Sequence, residues 1–227
     1  MNKYKKTFIF IISLSIIILF LAIIDKAYIK NTEALDFTNV DILTRSNLDA
    51  MNPDRPVKYI NNRKVNSING KCSKFKIYNS VDALKAIYAL QNIISVCDIN
   101  DLKFYKEHHD VFTDTYTFKQ YFNGIEVVDG SIDVLVDSDT KEAYIVNSSI
   151  YYTTDFETTY EISKRKAKAI IKNNKKYKNN KITNIELVIY HNTLSWYIET
   201  NNFDNPYLYL DANTGDIFYI AQVEAVS

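Results

Sequence analysis

The sequence predicts an α+β fold of two modules, each with a helix packed on an antiparallel sheet, behind an N-terminal membrane-spanning helix. Three observations predict it. An uncharged apolar run lies near the N-terminus. Downstream, apolar and polar residues alternate with the period of two that puts one set on one sheet face. The order helix and then strands occurs twice, as expected of helices segregated to a sheet face.

The apolar run is Thr7 to Ile24, preceded by Lys3, Lys5 and Lys6. A stretch of about 18 residues or more without charge is long enough to cross a bilayer as a helix. Asp25, Lys26 and Ala27 follow it without a small-x-small cleavage pattern, so residues 1–24 read as an uncleaved signal anchor. Lysines on the amino side keep that end inside and send the rest out. The expected location is therefore the cell membrane, single-pass, with the C-terminal part extracellular, or secreted if the segment is cleaved.

The whole chain has 27 Lys and Arg against 27 Asp and Glu. Removing the three anchor lysines leaves 24 against 27, a net of −3 for the exported part. A slightly acidic body argues against nucleic acid as a partner, because phosphate neutralisation needs clustered cations. The basic run Lys164 to Lys178 is the exception and reads as a solvated helix face. Eighteen Tyr and 12 Phe against four Gly and three Pro favour strands over flexible loops.

Residues 25–70 are polar, with Pro53 and Pro56, and read as a stalk or arm. Residues 71–152 form the first module. Phe75, Ile77 and Tyr78 suggest a short strand, and Ser80 is a candidate N-cap for a helix running to about Ser95. In that helix Leu84, Ile87, Tyr88 and Ile94 fall at helical spacing. Leu102 to Tyr105 and Val111 to Phe112 begin further strands. A meander from Thr115 to Ile150 follows, with Tyr116, Phe118 and Phe122 on one parity, Ile132, Val134 and Val136 on a second, and Tyr144, Val146 and Ile150 on a third. Asn123-Gly124 is its tight-turn signal.

Residues 153–227 form the second module with a short tail. Ser163 precedes a helix whose apolar face is Ile162, Ala167, Ile170 and Ile171. Strands then follow at Glu186–Tyr190, Leu194–Thr200, Pro206–Leu210 and Asp216–Ile220. Cys72 and Cys97 bracket the first strand and helix. A strand folded back along a helix of matching length brings them together as a disulfide in an oxidising compartment. The other reading is two small buried hydrophobes.

Two segments carry a family resemblance. FKQYFNGIEVVDG, with Phe118, Gln120, Gly124, Ile125, Val127 and Gly130 in register, resembles the fungalysin/thermolysin propeptide (FTP) module; Phe122 stands where that pattern has Tyr. Tyr160 to Gln222 is similar to a PepSY module, through Trp196, Asp211, Ala212, Thr214, Gly215 and Ile217. The two occur in the order seen in thermolysin-family precursors, and the modules they mark, residues 71–152 and 153–227, together span about two thirds of the chain. The matched residues carry structural roles. The glycines serve turns or close backbone approach, Trp196 with Leu194 and Ile198 fills a sheet face, and Asp211 with Asn213 caps the DANTG hairpin.

In such precursors an H-E-x-x-H zinc helix follows these modules. This sequence contains neither H-E-x-x-H nor G-x-S-x-G. His108 and His109 are adjacent, so a strand would point them to opposite faces. Asp137-Ser-Asp139 and the run from Asp211 faintly suggest calcium loops, yet the closing position of the latter is Gln222 and not Glu. No catalytic residue, metal or cofactor is expected.

The resemblance therefore implies a stand-alone propeptide that inhibits, or assists the folding of, a secreted zinc metalloprotease in trans. Ala221, Gln222, Val223, Glu224, Ala225 and Val226 would occupy the protease cleft as an extended, product-like segment, or else form a frayed tail. The alternative is a membrane-tethered cell-envelope binding or scaffold module without a protease partner, with Tyr151, Tyr152, Tyr207 and Tyr209 as candidate aromatic contacts.

Overall fold

The computed structural model describes residues 36–54, 57–61, 66–94, 98–151, 156–202 and 206–218, the side chains of 60 and 61 excepted. All regular elements among the described residues belong to the compact unit Val40–Ser227. They are α1 (Arg45–Met51), β1 (Lys58–Asn61), β2 (Asn66–Asn69), α2 (Ser80–Ala89), a 3-10 turn (Ile99–Asp101), β3 (Leu102–His109), β4 (Thr113–Phe122), β5 (Ile125–Asp137), β6 (Ala143–Ser148), α3 (Lys164–Asn173), β7 (Ile182–Tyr190), β8 (Thr193–Thr200), β9 (Tyr207–Asp211) and β10 (Ile217–Phe218). The expected membrane helix over Thr7 to Ile24 lies outside the described residues. Among the described residues no helix is long and apolar enough to cross a membrane.

The α+β class holds, with a large, mostly antiparallel sheet and few helices. The ten strands form one sheet, in the order β1-β2-β6-β5-β7-β8-β9-β10, with β4 also on β5 and β3 on β4. β5 is the joint. Its 13 residues are long enough to serve two neighbours along one edge, at about 3.3 Å per residue. Its later part pairs antiparallel with β6, from Ile132 opposite Ser148 to Val136 opposite Ala143. Its start pairs parallel with β7, Glu126 with Val188 and Val127 with Ile189. The strands expected in two modules thus share one continuous sheet.

The turns follow from local chemistry. Asn123 and Gly124 have φ of 49° and 81°, the positive values that a two-residue hairpin demands, and they join β4 to β5. Asn79, not Ser80, caps α2, its side chain accepting the Asp82 N–H at 3.0 Å. The helix ends at Ala89 and gives way to turns, so Ile94 is buried from a turn and not from the helix. Ser163 caps α3 as expected, accepting from the Lys166 N–H.

Several local expectations are corrected. The described part of residues 25–70 is not an arm: α1 forms there, and β1 and β2 make a hairpin whose second strand pairs with β6, Asn66 opposite Ser148. Residues 71–78 do not form a strand. Backbone N–H groups of Cys72 and Ile77 reach Ala143 and Lys141 carbonyls at 2.8 Å, but the Ala143 N–H goes to the Ser73 hydroxyl at 3.0 Å, so no ladder is closed. Val111 and Phe112 lie in the exposed tip between β3 and β4. Tyr144 does not join the buried row of β6. A bulge opposite Leu135 and Val136 sets Ala143 there instead, and Tyr144 places its hydroxyl 2.7 Å from that of Thr113.

Both cores occupy one face. Tyr116 and Phe118 of β4 are buried opposite Val134 and Ile132, and α2 packs on neighbouring β6. Phe122, of the same parity, joins the core under α3, where Ala167, Ile171, Leu194, Trp196 and Ile198 converge. An irregularity in β5 keeps both Val127 and Ile132 inward despite their opposite parity. Helices therefore cover one face of the sheet.

Candidate recognition face

The other face carries the alternate residues of every strand, and between β3 and β9 these make a furrow. Tyr105 of β3, Lys119 of β4, Glu126 of β5, Glu186 of β7, Tyr197 of β8 and Tyr209 of β9 contribute to it, around a volume of about 350 Å³. Val188, 3% exposed, forms part of the floor. The placement follows from parity. Ile185, Leu187 and Ile189 of β7 turn into the helix-covered core, which leaves Asn184, Glu186 and Val188 on the opposite side.

Aromatic rings line one wall. Tyr209 lies 4.4 Å from Tyr190 and 5.2 Å from Tyr197, ring centre to ring centre, and Tyr207 stacks on Tyr197 at 5.8 Å. Burial among these rings pushes the phenols of Tyr197 and Tyr209 well up from their usual value, with Glu199 adding to the effect on Tyr197. Both stay protonated at neutral pH and so have a proton to donate. The Tyr197 hydroxyl donates to Glu199 at 3.1 Å. On the opposite wall Lys119 pairs with Glu126 at 2.5 Å and stands 4.0 Å over the Tyr105 ring. The furrow offers ring faces, phenol donors and carboxylates, which suit stacking and hydrogen bonding to a ligand laid across the strands.

The family-pattern residues lie at structural joints and not in this furrow. Gln120 is 3% exposed and clasps the Tyr151 backbone, its amide donating to the carbonyl at 2.9 Å and its oxygen accepting the N–H at 3.0 Å. Gly130 lies beneath it: a Cβ there would come within 2.5 Å of the Gln120 oxygen. Trp196 donates its indole N–H to the Ile162 carbonyl at 2.6 Å. Gly215 has φ of 85°, and a Cβ there would meet Ile162 at 2.9 Å. Phe118 and Ile125 pack inward, the latter partly.

Asp211 caps its hairpin as expected, accepting from the Asn213 and Thr214 N–H groups at 2.8 and 2.9 Å. Asn213 does not cap it. Its side chain accepts the Glu161 N–H at 3.1 Å and so ties the hairpin to the approach to α3. Asp137 is engaged in the same manner, accepting from the Asp139 and Thr140 N–H groups. Those bonds hold the carboxylate below its usual range. His109 bridges Asp114 at 2.7 Å and Glu107 at 3.6 Å. Among the described residues no group of three or more His, Cys, Asp or Glu side chains is placed to hold a metal ion.

Cys72 is a free thiol with no exposure, and burial pushes it up to about 12; Cys97 lies outside the described residues. So do Tyr152 and the expected cleft-binding segment Ala221 to Val226. Tyr151 leans on Phe156 beside the second core, with its hydroxyl 3.4 Å from Asp129. Sequence reasoning missed Glu126, Glu186, Tyr197 and Glu199 as a group. Their parity was readable, but their convergence depends on the parallel β5–β7 pairing.

No family model matches this chain, and no curated protein matches it. Among solved structures it is similar to the YpeB C-terminal domain of Bacillus megaterium, at 13% identity and a TM-score of 0.38, over 80% of this chain and 100% of that one. A likeness at that level assigns neither family nor activity.

Proposed function

We propose that this chain is a non-catalytic, propeptide-like protein with FTP-like and PepSY-like halves, which inhibits a secreted thermolysin-like zinc metalloprotease in trans or assists its folding. The observation that supports this reading is the use made of the residues carrying the resemblance. Gln120 with Gly130, and Trp196 with Gly215, hold joints of the sheet, as expected of a shape-complementary partner. β10 is the last strand of its sheet end, and the sequence continues from it to Ala221–Val226. That segment would lie extended in the protease cleft. A single N-terminal span would hold the module at the outer surface of the membrane.

The test adds the full chain, in detergent, to a thermolysin-like metalloprotease and to the same enzyme refolding without its own propeptide. Slower peptide cleavage or a higher refolding yield at micromolar concentration is expected. No change in either would sink the reading. Removing residues 221–227 should relieve inhibition; undiminished inhibition would exclude cleft occupation by the tail.

One observation favours a second reading, a tethered cell-envelope binding module without a protease partner: the tyrosine- and carboxylate-lined furrow. In that case Tyr197→Ala would weaken cosedimentation with purified wall glycan, while the protease assays stay flat.

A further inference from the structure

The charge of the exported part is strongly segregated. Between Lys164 and Lys181 there are nine Lys and Arg and no Asp or Glu. The exported part has 24 cations and 27 anions, so outside this stretch 15 cations stand against 27 anions, a net of −12. All nine cations are exposed. Among the described residues no ion pair reaches the row Lys164, Lys168 and Lys172 on α3.

This arrangement works against the helix. Lys164, Arg165 and Lys166 fill the first turn of α3, which carries no acid; cations there oppose the helix dipole. Lys164, Lys168 and Lys172 follow at i, i+4 spacing, where like charges repel. The fold does not need them, because α3 is held by Ala167 and Ile171 on its other side. A helix that accumulates cations against its own stability presents a surface for an anion. With its apolar side already buried in the core, it has none left to insert, so contact would be through charge alone.

We propose that the exposed face of α3 docks on an anionic phospholipid bilayer. Charge complementarity supplies the attraction, since basic segments gather at anionic lipid surfaces. The tether supplies the occupant. If Thr7 to Ile24 spans the membrane, the chain between Ile24 and Val40 reaches at most about 55 Å. A bilayer is then always at high effective concentration, so even a weak contact is populated.

The full chain is placed in nanodiscs of pure phosphatidylcholine or with about one third phosphatidylglycerol, and lysine acylation is followed residue by residue. Acylation of Lys164, Lys168 and Lys172 should be slower in anionic discs by roughly threefold to tenfold, and the difference should vanish in high salt. The variant Lys164→Gln/Lys168→Gln/Lys172→Gln should lose the protection at Lys175 and Lys178. Equal rates in the two lipids overturn the proposal, as does protection that survives high salt. Soluble polyphosphate protecting the row where anionic discs do not would assign the face to a free polyanion. Protection that grows with protein concentration in neutral discs would assign it to the acidic surface of a second copy. Either result overturns the lipid assignment.

Discussion

Gln120 closes over Gly130: the glutamine amide spans both backbone groups of Tyr151, at 2.9 and 3.0 Å, in a space that a single Cβ on Gly130 would fill. The two stand on adjacent strands where the β4–β5 register slips between Lys119 and Tyr121. The clasp fixes how the chain leaves β6 toward α3. Gly130→Ala should therefore destabilise the protein by about 1–3 kcal/mol, the usual range for overpacking, measured as a lower urea midpoint. Gln120→Ala should also destabilise, and the double variant should lose less than the sum. Additive losses would show that the two residues do not act together.

Trp196 is the only tryptophan in the sequence, and its indole N–H is committed to the Ile162 carbonyl at 2.6 Å in the second core. Trp196→Phe leaves that buried carbonyl without its donor and should cost about 1–3 kcal/mol, besides the packing lost. In the native protein, tryptophan fluorescence reports on this core alone. If the sheet unfolds as one unit, the fluorescence and far-ultraviolet circular dichroism transitions in urea should coincide.

At the β3–β4 hairpin the nearly buried Asp114 takes Lys141 at 2.6 Å and His109 at 2.7 Å. Hydrogen bonds from Lys141, then His109, hold the Asp114 carboxyl below its usual range. The hydrogen bond to Asp114 is the largest cause raising His109. The lowered carboxyl contributes stability that is present above its unfolded value, about 3.9, and is lost as pH falls through the folded one. The raised imidazole contributes stability that is full below about 6.5 and is lost as pH rises through its folded value. The wild-type urea midpoint should fall slightly on passing from pH 6 to above the His109 titration, and His109→Gln should remove that fall. An equal fall in the variant would place its origin elsewhere.

Cys72 has no exposure, and its thiol is raised to about 12 by burial. In a Cys97→Ser variant, a thiol reagent at pH 8 should leave Cys72 unmodified until denaturant is added. Rapid modification of the folded variant would contradict the burial. With Cys72 a free thiol, the native chain should show two titratable thiols in denaturant; none would show that Cys72 and Cys97 are bonded.

Much of the local structure was legible because it depends on neighbours in sequence. Positive φ at Asn123-Gly124, the Ser163 cap and the alternation of Leu194, Trp196 and Ile198 follow from short-range sterics and period. β1 and β2 were not legible. Asn66-Ser-Ile-Asn69 is a polar strand with one buried residue, Ile68, and has no alternation to read. Tyr144 was misread because a bulge shifts parity by one, and a bulge leaves no mark in a two-residue period.

By itself the sequence determined the alternating strands, the two amphipathic helices, the turn chemistry and the segregation of cations into residues 164–181. Each of these follows from a residue and those within about four positions of it. Only the tertiary structure decided that β5 joins both sets of strands by pairing in parallel with β7, and that Glu126, Glu186 and Tyr197 therefore share one furrow. Strand pairing is a contact between distant residues, satisfied by backbone groups that every residue carries. Side-chain pattern can specify which face a strand buries, but not which strand lies beside it.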